Sequence, residues 1–136
     1  MSAEVIFNHP PASEVQLGLT FPNNLEVADQ RSRFHSLVRT EFPIVIMPEQ
    51  NKMTYDFADY SLFTEEMAAR LEIGMSYFRV VSTRYPGFRK FRTLFLSTVG
   101  LFSKCYKLSA FTALAMTYRN SLPLEEHHNF ENCFTL

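Results

Sequence analysis

Residues 14–21 read Glu14-Val15-Gln16-Leu17-Gly18-Leu19-Thr20-Phe21, and the rest of the chain can be laid out from this stretch. Val15, Leu17, Leu19 and Phe21 alternate with Glu14, Gln16, Gly18 and Thr20. Successive side chains on a pleated backbone point to opposite faces, so period two with one apolar side predicts a half-buried strand. Ahead of it, Pro10-Pro11 forbids helix and leads the chain in extended. Behind it, Pro22-Asn23-Asn24 ends the strand, and Asn24 suits a helix N-cap with Glu26 and Asp29 near the first turn. Val27, Phe34, Leu37, Val38 and Phe42 would line the apolar side of one helix, which Pro43 stops.

Further along, Ile44-Val45-Ile46 is a short strand candidate, and Pro48 to Asp59 shows no period and reads as an irregular crossover. Tyr60–Phe63 and Ala69–Ile73 read as strands around Thr64-Glu65-Glu66. Gly74-Met75-Ser76 makes a tight turn into a strand from Tyr77 to Thr83, where Phe78 and Val80 face the core and Tyr77, Arg79 and Val81 face away. Pro86 fits the first turn of a long helix, Phe88 to Leu108, with Phe88, Phe91, Phe95, Val99 and Phe102 as its apolar stripe. Gly100 within it marks close packing or a bend. A last strand, Ala113 to Asn120, puts Leu114, Met116 and Tyr118 on one face and Ala115, Thr117 and Arg119 on the other.

The order is strand, helix, two or three strands, helix, strand. It predicts an α+β domain over residues 1–124, a ferredoxin-like split βαβ sandwich with an antiparallel sheet and two helices on one face. Residues 125–136 form an irregular tail without period. A chain of 136 residues holds one core at most comfortably, and 15% aromatic residues exclude low-complexity disorder. No apolar run reaches the ~18–20 residues of a membrane span, and the Met-Ser-Ala-Glu start lacks a basic leader region. Two cysteines, Cys105 and Cys133, fit a reducing compartment, so a cytoplasmic protein with no membrane partner is expected.

The net charge of −1 hides a strong segregation. Residues 1–69 carry four bases against ten acids, a net of −6, and residues 70–119 carry nine bases against Glu72 alone, a net of +8. Either the two halves compensate each other internally or a basic patch faces a partner. Two surfaces hold the candidate partner-binding or anion-binding residues. The sheet face away from the helices should gather Gln16, Thr20, Arg70, Glu72, Tyr77, Arg79, Thr117 and Arg119. The start of the long helix carries Arg84, Arg89, Lys90 and Arg92, cations that oppose the helix macrodipole and call for an acidic neighbour, with Asp56, Asp59, Glu65 and Glu66 as internal candidates.

Catalytic and metal spacings are weak throughout. The histidines are His9, His35, His127 and His128, with no His-x-x-x-His or Cys-x-x-Cys pattern. Cys105 lies beside the apolar stripe and reads as inert core, the four glycines make no phosphate loop, and Glu65-Glu66 and Glu125-Glu126 lie in turn-like or tail segments. No catalytic residue, metal ligand or cofactor is expected.

Several segments, in order, resemble a sporadically distributed, functionally uncharacterised bacterial family. They are Pro10, Pro11, Glu14, Val15, Gly18 and Phe21; Phe42-Pro43; Ala69–Gly74; Tyr77–Arg84; Tyr85-Pro86; and Tyr118-Arg119-Asn120. The similarity covers residues 5–124, and members are usually longer, so the chain corresponds to their first domain. The resemblance implies an association with mobile-element or phage-defence gene sets and an antitoxin-like or regulatory role. Together these readings predict a non-enzymatic module that binds a protein partner or itself through its sheet face or sheet edge. The alternative is a nucleic-acid-binding protein using residues 70–119, and a third reading is a small-molecule sensor with a pocket between sheet and helices.

Overall fold

Both edges of the strand quoted above are paired, and this organises the sheet. In the computed structural model, which describes residues 12–47 and 59–120, it forms β1 (Ala12–Thr20). The chain continues through α1 (Leu25–Asp29), α2 (Arg31–Val38), β2 (Ile44–Ile46), β3 (Tyr60–Phe63), β4 (Ala69–Ile73), β5 (Tyr77–Ser82), α3 (Phe88–Tyr106) and β6 (Ala113–Asn120). The six strands form one antiparallel sheet in the order β2-β3-β4-β5-β1-β6, a mixed α/β architecture. β1 sets Leu17 opposite both Val80 of β5 and Met116 of β6, and Leu19 opposite Phe78 and Leu114. Its register shifts between Ala12 and Glu14.

Four strands, where two or three are predicted, lie between α2 and α3. The difference is β2, whose Ile44, Val45 and Ile46 have no alternation of their own and are held by pairing with Phe63, Leu62 and Ser61 of β3. The predicted crossover at 48–58, the Pro10-Pro11 lead-in and the predicted tail at 125–136 lie outside the described residues.

Residues from all three helices join one hydrophobic cluster with Val15, Leu17, Leu19, Leu62, Leu71, Ile73, Phe78 and Val80. The first helix is broken in two, a correction to the single helix predicted. Asn24 caps α1 as expected, its side chain accepting the Glu26 N–H at 2.9 Å. At Gln30 the backbone leaves helical geometry (φ −118°, ψ 41°), and its carbonyl accepts the Tyr106 hydroxyl at 2.7 Å. Val27, Phe34 and Val38 fall within about 20° of one line along the helical face and are buried, while Leu37 falls about 80° off that line and is 51% exposed, against the expectation that it lines the apolar side. Phe42 remains fully buried beyond the helix end.

The stripe of α3 also differs from its sequence reading. Phe91, Phe95, Thr98, Phe102 and Tyr106 are the buried positions, Val99 lies at the margin, and Phe88 is 46% exposed. A stripe at 3.6 residues per turn that runs through Phe95 and Phe102 passes between positions 98 and 99, so periodicity alone does not choose between them. Thr98 can occupy that buried place because its hydroxyl donates to the Leu94 carbonyl at 2.8 Å. Pro86 precedes the cap, Gly87, rather than sitting in the first turn; Gly87 takes φ 100°, a conformation open to glycine. A Cβ on Gly100 would meet nothing within 4 Å, so no close packing explains that glycine.

Phe102 is the centre of the core. Its ring lies 5.6 Å from Phe21, 5.2 Å from Phe34, 4.7 Å from Phe78 and 5.1 Å from Tyr106. Truncation there removes contacts to the end of β1, to α2 and to β5 at once. Phe102→Ala should therefore cost about 3–5 kcal/mol of unfolding free energy. Gly100→Ala, in open space on the same helix, should gain up to about 1 kcal/mol. Urea unfolding of the two variants checks both, and equal small effects would remove Phe102 from its central place.

Candidate interaction surface

Strand parity sends Glu14, Gln16, Gly18 and Thr20 of β1 to the side opposite the core. Their cross-strand neighbours share that side: Val81 and Thr117 beside Gln16, Arg79 and Ala115 beside Gly18, Tyr77 beside Thr20, and Arg119 beside Glu14. β4 adds Arg70 opposite Val81 and Glu72 opposite Arg79. All eight residues predicted for the open face, Gln16, Thr20, Arg70, Glu72, Tyr77, Arg79, Thr117 and Arg119, are thus brought to one surface. Arg84, Arg89, Lys90 and Arg92 are not part of it; they sit after β5 and in the first turns of α3, and all four are exposed.

The charged groups of the open face alternate in sign across four strands. Arg119 reaches Glu14 at 3.4 Å, Glu14 meets Arg70 at 2.6 Å, Arg70 meets Glu72 at 3.1 Å, and Glu72 lies 3.4 Å from Arg79. Burial alone pulls the Arg70 guanidinium down, but its bonds to Glu14 and Glu72 outweigh that and hold it above its ordinary value. The Arg70–Glu14 bond spans β5, and Val81, whose cross-strand neighbours are Arg70 and Gln16, is completely buried although it faces away from the helices. Glu14 belongs to the acidic half of the sequence and Arg70 and Arg119 to the basic half, so part of the charge segregation is compensated internally.

Beyond Glu72 the guanidinium of Arg79 stacks over the Tyr77 ring, 4.3 Å from its centre. The Tyr77 hydroxyl donates to Asp59 at 2.8 Å. Burial first, and then this bond to a carboxylate, push the Tyr77 phenol up to about 12. Two glycines make room for these side chains. A Cβ on Gly18 would stand 2.6 Å from Arg79 Cγ, and one on Gly74 would run into the Tyr77 ring and lie 2.7 Å from an Asp59 oxygen. On either side of the Tyr77–Arg79 stack lies a shallow groove. One, of about 270 Å³, is floored by Gly18 and flanked by Gln16, Thr20 and Thr117; the other, of about 220 Å³, lies between Asp59, Ser61 and Glu72. Sequence reasoning did not identify Glu14, Asp59 or Gly18 as parts of this surface. The available signal was parity, which places Glu14 and Gly18 on the same face as Gln16.

The sheet ends at β6. Among the described residues only β1 pairs with it, and none of them pairs with its outer backbone edge. Leu114, Met116 and Tyr118 share the helix-side face as predicted, yet Leu114 is 64% and Tyr118 49% exposed. Tyr118 touches the Tyr85 ring edge-on at 6.0 Å, which connects the strand to the approach of α3. No proline or lysine interrupts β6, and its one charge is Arg119.

At the start of α3, Arg84 pairs with Glu66 at 3.7 Å, both largely exposed, a contact of little energetic weight. Asp59, a candidate partner for that cluster, is engaged by Tyr77 instead, and Asp56 lies outside the described residues. Burial raises the Cys105 thiol above its ordinary value, and His35 Nε2 lies 3.2 Å from the Phe42 carbonyl. Among the described residues no three His, Cys, Asp or Glu side chains converge for a metal, and no helix is long and apolar enough to cross a membrane. His127, His128 and Cys133 lie outside those residues. Compared with known proteins, the chain matches no family model, no curated protein and no solved structure.

Two measurements probe this surface. Tyr77 and Tyr106 both titrate near 12 in the folded chain against 10.0 for a free phenol. The folded state therefore binds more protons than the unfolded state in that window. Stability is full below pH 10 and falls as pH climbs toward 12, and Tyr77→Phe should flatten the fall. Urea melts at increasing alkalinity, with tyrosinate absorbance followed in parallel, test this. Gly18→Ala should displace Arg79 and cost about 1–3 kcal/mol. Adding Arg79→Ala to it should restore most of the loss, and a plain sum of the two single effects would show that the residues do not interact.

Proposed function

We propose that this chain is a non-enzymatic protein-interaction module, regulatory in role, which engages its partner through the β6 edge and the adjoining open face of the sheet. The observation that carries the reading is β6 itself: eight residues with exposed apolar side chains and one backbone edge that no described residue pairs. Such an edge offers unpaired N–H and C=O groups in register, and an added strand supplies affinity through the backbone and specificity through alternate side chains. Natural sheets usually blunt such edges with lysine, proline or a covering element, and none of these stands on the described part of β6.

The fold supports the same reading. β1 lies between β5 and β6, and α3 connects β5 to β6, the strand order of a split βαβ unit with β2 and β3 added at the far side. We read it as a ferredoxin-like sandwich with a widened sheet, an architecture whose open face and edges are free for contact. The segmental resemblance noted in the sequence favours a cytoplasmic antitoxin-like or defence-associated subunit.

Nucleic-acid binding is the second reading, favoured by the Arg79–Tyr77 stack and by the exposed Arg84, Arg89, Lys90 and Arg92. Against it, Arg70 is held between Glu14 and Glu72, and Arg79 and Arg119 also share those two carboxylates.

Crosslinking in the native host, purification and mass spectrometry, with and without nuclease, separate the two. A stoichiometric protein associate that survives nuclease and crosslinks to β6 is the expected result. A complex lost on nuclease treatment, with log K falling linearly against log[salt], would transfer the function to nucleic acid. A monomer with no associate would overturn the interaction reading.

A further inference from the structure

We propose that the occupant of the β6 edge is the β6 strand of a second copy of this chain, the two sheets joining into one across a two-fold axis. This rests on the reading of β6 as an interaction edge and names its partner.

Symmetry and side-chain chemistry restrict how two copies can meet. Antiparallel edges related by a two-fold have the axis perpendicular to the sheet, so like faces adjoin and even-numbered residues of β6 stand opposite even-numbered ones. With the axis at Met116, Leu114 lies opposite the partner's Tyr118, and Met116 lies opposite the partner's Met116. All three apolar residues of the helix-side face then find apolar cross-strand partners. Moving the axis to Thr117 sets Leu114 against the partner's Asn120, and moving it to Ala115 sets Tyr118 against the partner's Thr112. The Met116 register alone covers Leu114 and Tyr118, the two residues of β6 whose exposure most needs an explanation.

Charge is compatible with the same register. Arg119 is the only charged residue of β6, and it reaches Glu14 of its own chain at 3.4 Å. It stands opposite the partner's Ala113, so the two Arg119 side chains are about 20 Å apart along the seam, more than two Debye lengths at physiological salt. No like charges meet. The size is modest: seven paired residues give a seam of about 24 Å, burying on the order of 1,000 Å² in total, the lower bound for a specific interface. The dimer is therefore weak and concentration-dependent, suited to exchange for another strand.

The test uses the full chain in sedimentation velocity from about 1 to about 100 µM, the range in which an interface of this size dissociates. The wild type should pass from monomer to dimer. A variant carrying Leu114→Lys and Tyr118→Lys, and another carrying Leu114→Glu and Tyr118→Glu, should each stay monomeric, because like charges then face each other twice. Mixed in equal amounts they should recover a one-to-one dimer, since every lysine now faces a glutamate. Both positions are exposed, and circular dichroism checks that the variants fold. Should either variant fail to fold, amide exchange of the wild type replaces it: protection of residues 113–120 must rise with concentration. A wild type that remains monomeric, variants that still dimerise, or a mixture that does not recover the dimer each overturn the proposal. If the wild type is monomeric but a protein from the host crosslinks to β6, self-pairing fails and the interaction reading stands. If neither occurs, both fall.

Discussion

The ring of Phe102 meets four others, and the placement of every layer depends on that meeting. Phe21 closes β1, Phe34 comes from α2, Phe78 from β5, and Tyr106 follows one turn later on α3. A helix can roll on a sheet unless large side chains interlock, and edge-on and tilted aromatic contacts have preferred geometries that resist rolling. Tyr106 adds a polar restraint, its hydroxyl donating to the Gln30 carbonyl at the break between α1 and α2. The break is thus tied to α3 rather than being a defect of the first helix. Once these contacts settle which face of β1 is covered, the other face is settled too, because parity leaves no choice.

The open face is consequently built from whatever the even-numbered positions of β1 and their neighbours supply, and there the charges alternate from Arg119 to Arg79. A chain of partly buried ion pairs contributes less to stability than its count implies, since desolvation offsets much of the attraction. Its effect is on arrangement. Arg70 is held by two carboxylates and over Val81, while Arg79 has the weaker 3.4 Å contact to Glu72 and lies instead along Gly18 and the Tyr77 ring. The face is therefore ordered before any partner arrives, and it is close to neutral rather than basic.

The parts legible from sequence were those governed by local periodicity. Period two in β1, β5 and β6 is enough to bring Gln16, Thr20, Tyr77, Arg79, Thr117 and Arg119 together, since each depends only on its neighbours along the strand. What required the third dimension was harder to read. The turn at Gln30 presents its carbonyl to the Tyr106 hydroxyl of α3, and nothing in Asp29-Gln30-Arg31 announces that contact. β2 exists because β3 is there to pair with it. Thr98 replaces Val99 in the α3 stripe because a threonine hydroxyl can be satisfied by its own helix. Likewise, position along the chain tells the sheet-face bases from the helix-start bases, but it does not show that Glu14 stands between Arg70 and Arg119, a pairing that needs β1 and β4 on either side of β5.

Among the described residues β2 and β6 are the outer strands of the sheet, and the comparison between them explains why only one suits a partner strand. β2 exposes Val45 and Ile46, but it spans three residues, too few rungs to fix a register against slippage. β6 spans eight and is itself anchored along its length by β1, a strand paired on both edges. Its side chains also differ in kind. The helix-side face of β6 carries Leu114, Met116 and Tyr118, a face that would be core if the helices extended so far. They do not: α3 buries Phe91, Phe95, Phe102 and Tyr106 in a cluster whose β-strand members come chiefly from β1, β3, β4 and β5. β6 thus has the composition of an interior strand and the position of an edge strand, and pairing with another strand is the arrangement that reconciles the two.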